Sequence, residues 1–413
     1  MPVVLADLCI EARWIVPMAA SGQVLENHSL VVRDGRILDI LPSSAVAVRY
    51  DAAARVRRPA HLLMPGLVNC TTRAAMSLFR GLRSPGLALD RRSVGPEFVR
   101  DGAMTAIADM LASGITCFAD RYHFPDQTAR AATEQGMRAV VGLPMAEGLG
   151  MRDEYRGHPL ISTAIAPHAA NTLSDASFAR IATLADELDA AIVIDLHESA
   201  AEIAESVAVH GLRPIERLWK LGLLTPALNA VHMVHVTAAD IELAQRTGVS
   251  ISLCPQSSLR QGFGLGPAAA FAAAGIRLGL GSGGEVFPQS QDIWAEMRLL
   301  ALTAGAGTAP LTAWDVLAVA TRGGASVLGL DADIGSLESG KWADLCCVDL
   351  GGPATQPVGD PVTQLVFCGG RDLVSDVWVA GRQLLCERDL TRLEWPAVAA
   401  RANAWAARLN TGG

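Results

Sequence analysis

Between residues 62 and 281 short apolar runs recur eight times, each followed by an amphipathic stretch, at 62–69, 116–120, 138–143, 161–168, 191–197, 227–235, 250–255 and 277–281. Runs of this length bounded by turn residues read as buried strands, and the intervening stretches have the 3.6-residue period of helices. Helix starts support the alternation: Ser174-Asp175 precedes one periodic run, and Thr237 with Asp240 three residues on has capping-box spacing. Helices are also expected near 97–112, 291–302 and 313–328. Eight buried strands alternating with helices predict a (β/α)8 TIM barrel of the α/β class over residues 61–334. The flanks read differently. Trp14-Ile-Val-Pro and the run from Ser29 to Ile40 are strand-like, and Asp34-Gly35 between alternating apolar residues is a hairpin signal. A β pattern returns after Gly335. A discontinuous small β-sandwich domain is therefore expected from residues 1–60 and 335–413.

A chain of 413 residues, half of them apolar, can bury a large core beside a smaller one. No run of eighteen apolar residues predicts a membrane span, and the N-terminal residues lack the basic region and cleavage site of a secretory signal. The net charge of −8, with no Lys/Arg block, argues against nucleic acid as a partner. The eight cysteines lack paired spacing and are expected to be reduced, which fits a cytoplasmic protein.

Strand C-termini are where a barrel of this kind carries its chemistry. Those ends present Thr71 and Arg73, Asp120 and Arg121, His168, then Asp195, His197 and Glu198, then His232 and His235, then Cys254 to Ser258, and last Ser282 and Gly283. On a strand His197 shares a face with Asp195, and His235 points away from His232's face, so His197 is expected in the site and His235 outside it. Arg121 is expected to pair locally with Asp120. The Gly281-Ser-Gly-Gly284 turn is too short a signal to predict phosphate binding, and His28, His61, His158 and His210 receive no role.

The segment Met64-Pro-Gly-Leu-Val-Asn-Cys-Thr-Thr-Arg-Ala-Ala-Met-Ser-Leu-Phe-Arg-Gly81 resembles the first barrel strand of the amidohydrolase superfamily, in its cytosine-deaminase-like and chlorohydrolase-like branch, which includes adenosine/S-adenosylhomocysteine deaminases. Gly335-Ser-Leu-Glu-Ser-Gly-Lys-Trp-Ala-Asp-Leu345 resembles the segment where that family re-enters its β-sandwich, and Ile194-Asp-Leu-His-Glu-Ser199 resembles I-H-L-x-E-T. The resemblance spans nearly the whole chain. It implies that the family's two strand-one histidines, strand-five histidine and strand-eight aspartate, which hold one divalent metal, fall on Thr71, Arg73, Asp195 and Gly283. It also implies a substrate-side histidine at His168, a proton-moving glutamate at Glu198, a histidine near the reacting water at His232, and substrate contacts from the segment carrying Gln256 and Ser258.

Glycine offers no side chain and arginine has no lone pair, whereas catalytic zinc takes three protein ligands and a water. The expectation is accordingly no metal and no cofactor, with Arg73 and Asp195 as an ion pair in the vacated place. Losing the metal forfeits on the order of 10 kcal/mol of water activation, while a general base recovers ~10²–10⁴-fold. The sequence then predicts a metal-independent enzyme acting on a small polar substrate by elimination, isomerisation, cyclisation or hydrolysis of an activated bond. Arg73, Asp195, His197, Glu198 and His232 would be catalytic, and His168, Gln256, Ser258 and Gly283 would bind substrate. Two alternatives stand beside it: a non-catalytic binding or partner subunit, and a metal-dependent deaminase or hydrolase with a displaced ion held by His168, His197 and His232, with Cys254 or Asp195 as a further ligand. The resemblance implies a homodimer. Segments over the site, 80–96 with Arg83, Arg91 and Arg92 and the 143–161 link, are shorter than the family's and suggest an open or more cationic mouth.

Overall fold

The computed structural model describes residues 3–81, 94–144, 148–284, 290–304 and 310–411. The basic stretch with Arg83, Arg91 and Arg92 lies outside the described residues.

The N-terminal segment forms β1 (Val4–Ile15), β2 (Leu25–Arg33), β3 (Arg36–Pro42) and β4 (Tyr50–Pro65). Asp34 and Gly35 both take left-handed backbone, φ 53° and 73°, as the tight turn between β2 and β3 requires. β4 then passes through Gly66 directly into the barrel. A Cβ at Gly66 would lie 2.1 Å from Thr116 Oγ1, so no larger residue fits this junction.

Eight parallel strands follow: β5 (Leu67–Thr72), β6 (Ile115–Asp120), β7 (Arg138–Leu143), β8 (Ile161–Ile165), β9 (Ile192–Leu196), β10 (Leu228–His232), β11 (Ser250–Leu253) and β12 (Leu278–Leu280). They lie side by side in chain order. Thr72 pairs with Gly283, whose N–H donates to Thr71 O at 3.0 Å, bringing the first and last strands together as a barrel. The C-terminal segment adds β13 (Leu345–Asp349), β14 (Val374–Val379), β15 (Arg382–Cys386) and β16 (Asp389–Leu390) to the sheet begun by β1 to β4. β13 pairs antiparallel with β4, so both ends of the chain build one mixed sheet beside the barrel, as the sequence pattern predicts. The buried Arg138–Asp344 pair, 2.7 Å at its closest, ties the start of β7 to that sheet.

Helix starts fall where the caps place them. Ser174 Oγ accepts from Ser177 N, Thr237 and Asp240 form a reciprocal capping box, and Ser199 Oγ accepts from Glu202 N. Several elements depart from the sequence pattern, among them short helices at Ser43–Arg49 and Pro361–Cys368 within the expected β regions. The single helix expected over 313–328 widens to a π-turn at Val319–Gly323, where a Cβ on Gly323 would strike Leu278 O at 2.4 Å. A helix at Trp395–Thr411 interrupts the expected β pattern and packs on the helix Pro96–Ala112. There Trp405 Nε1 donates to Asp101 and Trp405 meets Phe98 edge-on. No helix among the described residues is long and apolar enough to cross a membrane. No disulfide joins the cysteines among the described residues.

Candidate active site

The strand ends converge on Asp195, near the end of β9. Arg121, one residue past β6, donates from Nη2 to Asp195 Oδ1 at 2.5 Å and from Nε to Thr71 Oγ1 at 3.2 Å. Arg73, one residue past β5, brings Nη2 to 3.8 Å from Asp195 Oδ2. The Arg73–Asp195 pair is as expected from the sequence, but this approach is longer than that of Arg121. The expected Asp120–Arg121 pair is replaced: Asp120 accepts from Thr72 Oγ1, Thr128 Oγ1 and the Ala74 N–H, which fix the backbone around Arg73 and leave Arg121 to cross to β9.

His232 ends β10 with φ 77°, and its Nε2 lies 3.8 Å from Asp195 Oδ1 and 3.5 Å from Glu198 Oε1. Neither ring nitrogen has a hydrogen-bond partner among the described residues. Burial lowers its pKa; Glu198 and Asp195 oppose that and the two arginines add to it, which keeps the ring neutral near pH 7. Glu198 accepts from Gln261 Nε2 at 3.1 Å.

His197 does not join them, and this corrects its placement from the sequence. β9 ends at Leu196, and His197 takes φ 54°, so the strand alternation that would have put it on Asp195's face has stopped. Its ring is fully buried. Nε2 accepts from Ile215 N at 3.1 Å, which leaves Nδ1 to donate to His235 O at 3.1 Å. Burial pushes its pKa down to about 4. It is a neutral bracket between chain segments, and with both nitrogens engaged it cannot hold the displaced metal ion either.

His168 stands at the exposed rim of a cavity of about 380 Å³ lined also by Asp195, Glu198 and Glu202. Ser258 lines a second cavity of about 140 Å³ that touches His232. Gln256 is turned to Glu296, which accepts from its backbone N–H and from Nε2 at 3.0 and 3.1 Å. Burial raises the Glu296 pKa to about 8. Gly283 has φ 62°, and a Cβ there would lie 2.9 Å from Ser257 Cβ.

Sequence reasoning missed Gln261, Glu202 and Glu296. Glu202 accepts from the backbone N–H groups of His197 and Glu198 at 3.1 and 2.8 Å, so it orients the backbone that carries Glu198. The signal was present, since Ser199-Ala-Ala-Glu202 is a capping-box spacing. Gln261 and Glu296 left no such signal.

The model of the Amidohydrolase family matches residues 62–384. A 5-methylthioadenosine/S-adenosylhomocysteine deaminase from Teredinibacter turnerae is 39% identical over 98% of each chain. One from Saccharophagus degradans is 36% identical over 98% of this chain and 97% of its own. Among solved structures, a zinc-bound adenosine deaminase from Xanthomonas campestris is 40% identical, covers 99% of this chain and 100% of its own, and superposes with a TM-score of 0.96.

These relatives correct the expectation of a metal-independent enzyme running elimination, isomerisation or cyclisation with Arg73 as the electrophile. They are deaminases, and one carries zinc, so metal-dependent deamination has the better support. The described residues themselves do not fit zinc. No three His, Cys, Asp or Glu side chains among them are grouped so as to hold a metal, and Asp195 sits between two guanidinium groups. On the family match and on relatives of this identity and coverage, the chain belongs to the amidohydrolase family.

Proposed function

We propose that this protein is a deaminase of adenine nucleosides, of the 5-methylthioadenosine and S-adenosylhomocysteine class that its relatives act on. The observation that carries this reading is 39% identity to such a deaminase over 98% of both chains. Deamination adds water to the ring carbon that bears the amino group and expels ammonia. One proton must leave the water and another must reach the departing nitrogen. Glu198 and His232, 3.5 Å apart, have the residue types and spacing to pass those protons. Gln261 holds the Glu198 carboxylate, and His168 lines the same cavity. The metal that the relatives point to would require donors beyond the described groups. The finer reading assigns Thr71, Arg73, Asp195 and Gly283 to the family's four ligand positions, and divides the chain into a barrel of 61–334 and a β domain of 1–60 with 335–413.

A second reading is favoured by the Arg73–Asp195–Arg121 cluster: a protein that binds the nucleoside without turning it over. The test is ammonia release from 5-methylthioadenosine, with zinc added or chelated, alongside calorimetric binding of the same nucleoside. Release that is lost on chelation supports the deaminase. Saturable binding without release supports the second reading, and neither binding nor release overturns both.

A further inference from the structure

Glu296 is fully buried on the helix Ile293–Ala304, and the proton chemistry above does not use it. Among the described residues no Lys, Arg or His pairs with it, and a carboxyl without a cationic partner is costly to bury. Both of its oxygens go to one residue, Gln256, through the backbone N–H and Nε2. Gln256 is the second residue of the short helix Pro255–Arg260. A helix of this length is not stable alone, and its first N–H groups need acceptors from outside it. Pro255 has no N–H, so that of Gln256 is the first to need one, and Glu296 supplies it. The supporting helix is itself anchored: Trp294 Nε1 donates to Ser113 O at 2.8 Å, and Met297 and Leu300 are buried. The far end of the short helix reaches the site. Gln261 N–H donates to Ser257 O at 3.1 Å, and Gln261 Nε2 donates to Glu198 Oε1 at 3.1 Å. A buried acid thus holds the start of a helix whose other end holds the Glu198 carboxylate.

We propose that Glu296 is a positioning residue of the active site, acting on Glu198 through Gln256, the helix Pro255–Arg260 and Gln261. The proposal rests on the reading of Glu198 as a proton carrier and adds what fixes that group's orientation. Removing the Glu296 carboxyl leaves the Gln256 N–H without its acceptor and loosens the first turn of the short helix. Gln261 at the other end then loses its fixed approach to Glu198. The loss falls on the chemical step and not on substrate affinity, because the walls of the Glu198 cleft, from His168 to Thr172 and from Asp195 to Glu205, belong to other segments.

The first readout needs no turnover. It is the side-chain amide resonance of Gln261 in NMR of the full chain, assigned by its absence in Gln261→Ala. In Glu296→Ala it should move toward the position of a solvent-exposed glutamine. In Glu296→Gln it should return, because the Gln256 amide can turn over and pair with the new side chain. The second readout is steady-state deamination of 5-methylthioadenosine. Glu296→Ala should lower kcat roughly tenfold with KM within about threefold, Gln261→Ala should do the same, and the double variant should fall no further. Glu296→Gln should restore kcat to within about threefold of the wild type. Gln256→Ala removes one of the two bonds from a half-buried position and should move the Gln261 resonance the same way, which keeps the test available if Glu296→Ala does not fold. An unmoved Gln261 resonance in the folded variant, additive losses in the double variant, or a raised KM at unchanged kcat overturns the proposal and leaves the deaminase reading standing. A resonance that moves and returns as described, in a protein that releases no ammonia, keeps the link from Glu296 to Glu198 and overturns the deaminase reading.

Discussion

Arg121 and Asp195, 74 residues apart in the chain, meet through a 2.5 Å hydrogen bond that joins the end of β6 to the end of β9. Arg73 approaches the other oxygen of the same carboxylate. Removing one partner of a buried ion pair leaves uncompensated charge and costs about 3–5 kcal/mol. Asp195→Asn, which leaves two guanidinium groups around a neutral amide, should lower stability by that order, measured by urea unfolding. An unfolding midpoint within error of the wild type would show that the cluster does not hold the barrel mouth together.

Glu198→Gln and His232→Asn should each reduce ammonia release ~10²–10⁴-fold while nucleoside binding by calorimetry stays within about tenfold. Gln261→Ala tests positioning and not chemistry. Its N–H stabilises the ionised Glu198 carboxylate, so without it the proton affinity of Glu198 rises. The acid limb of the pH–rate profile should move to higher pH. Turnover unchanged in the first two variants, or an unmoved acid limb in the third, contradicts these roles.

His197 should behave as a structural residue. His197→Leu deprives the Ile215 N–H of its acceptor, at a cost of about 1–3 kcal/mol. The pH–rate profile of the folded variant should match the wild type, because the ring has no place in the proton path. A shifted profile would return His197 to the site.

Glu296 links stability to pH. Folding raises its pKa from an ordinary 4.5 to about 8, so the folded state holds this proton more tightly than the unfolded state does. The stabilisation is complete below the unfolded value and is lost as pH rises toward about 8. Wild-type stability should fall across that window by on the order of a few kcal/mol. Glu296→Gln should flatten the fall, because the Gln256 amide can turn over and still pair with it. Equal pH slopes for the two proteins count against the buried acid.

At Gly283 an added side chain is costly. Left-handed backbone and a Cβ at 2.9 Å from Ser257 Cβ act together, so Gly283→Asp should destabilise by about 1–3 kcal/mol. Adding Ser257→Gly should recover part of that loss in thermal unfolding. A Gly283→Asp protein as stable as the wild type would mean that the β12 end has room that the geometry denies.

The barrel was legible because its signal is local. Apolar runs such as 138–143 and 250–253, buried along their whole length, alternate with capped helices, and that period survives whatever the strands pack against. Legible for the same reason was the shared location of Arg73, Asp195, Glu198 and His232, since strand ends in such a barrel point to one mouth. Partner choice was not legible. Arg121 passes over its neighbour Asp120 because Thr72, Thr128 and the Ala74 N–H already fill that carboxylate, a fact of three chain segments meeting. His197 left the site because β9 stops one residue sooner than its apolar run suggests and the next φ is positive. The cavity beside His232 exists only where segments some seventy residues apart close on one another. The sequence by itself determined which elements form and which ends carry polar groups, because backbone period and burial are properties of neighbouring residues. Only the tertiary structure decided which charges pair, which histidine is held neutral and where space remains, because those depend on atoms brought together from distant parts of the chain.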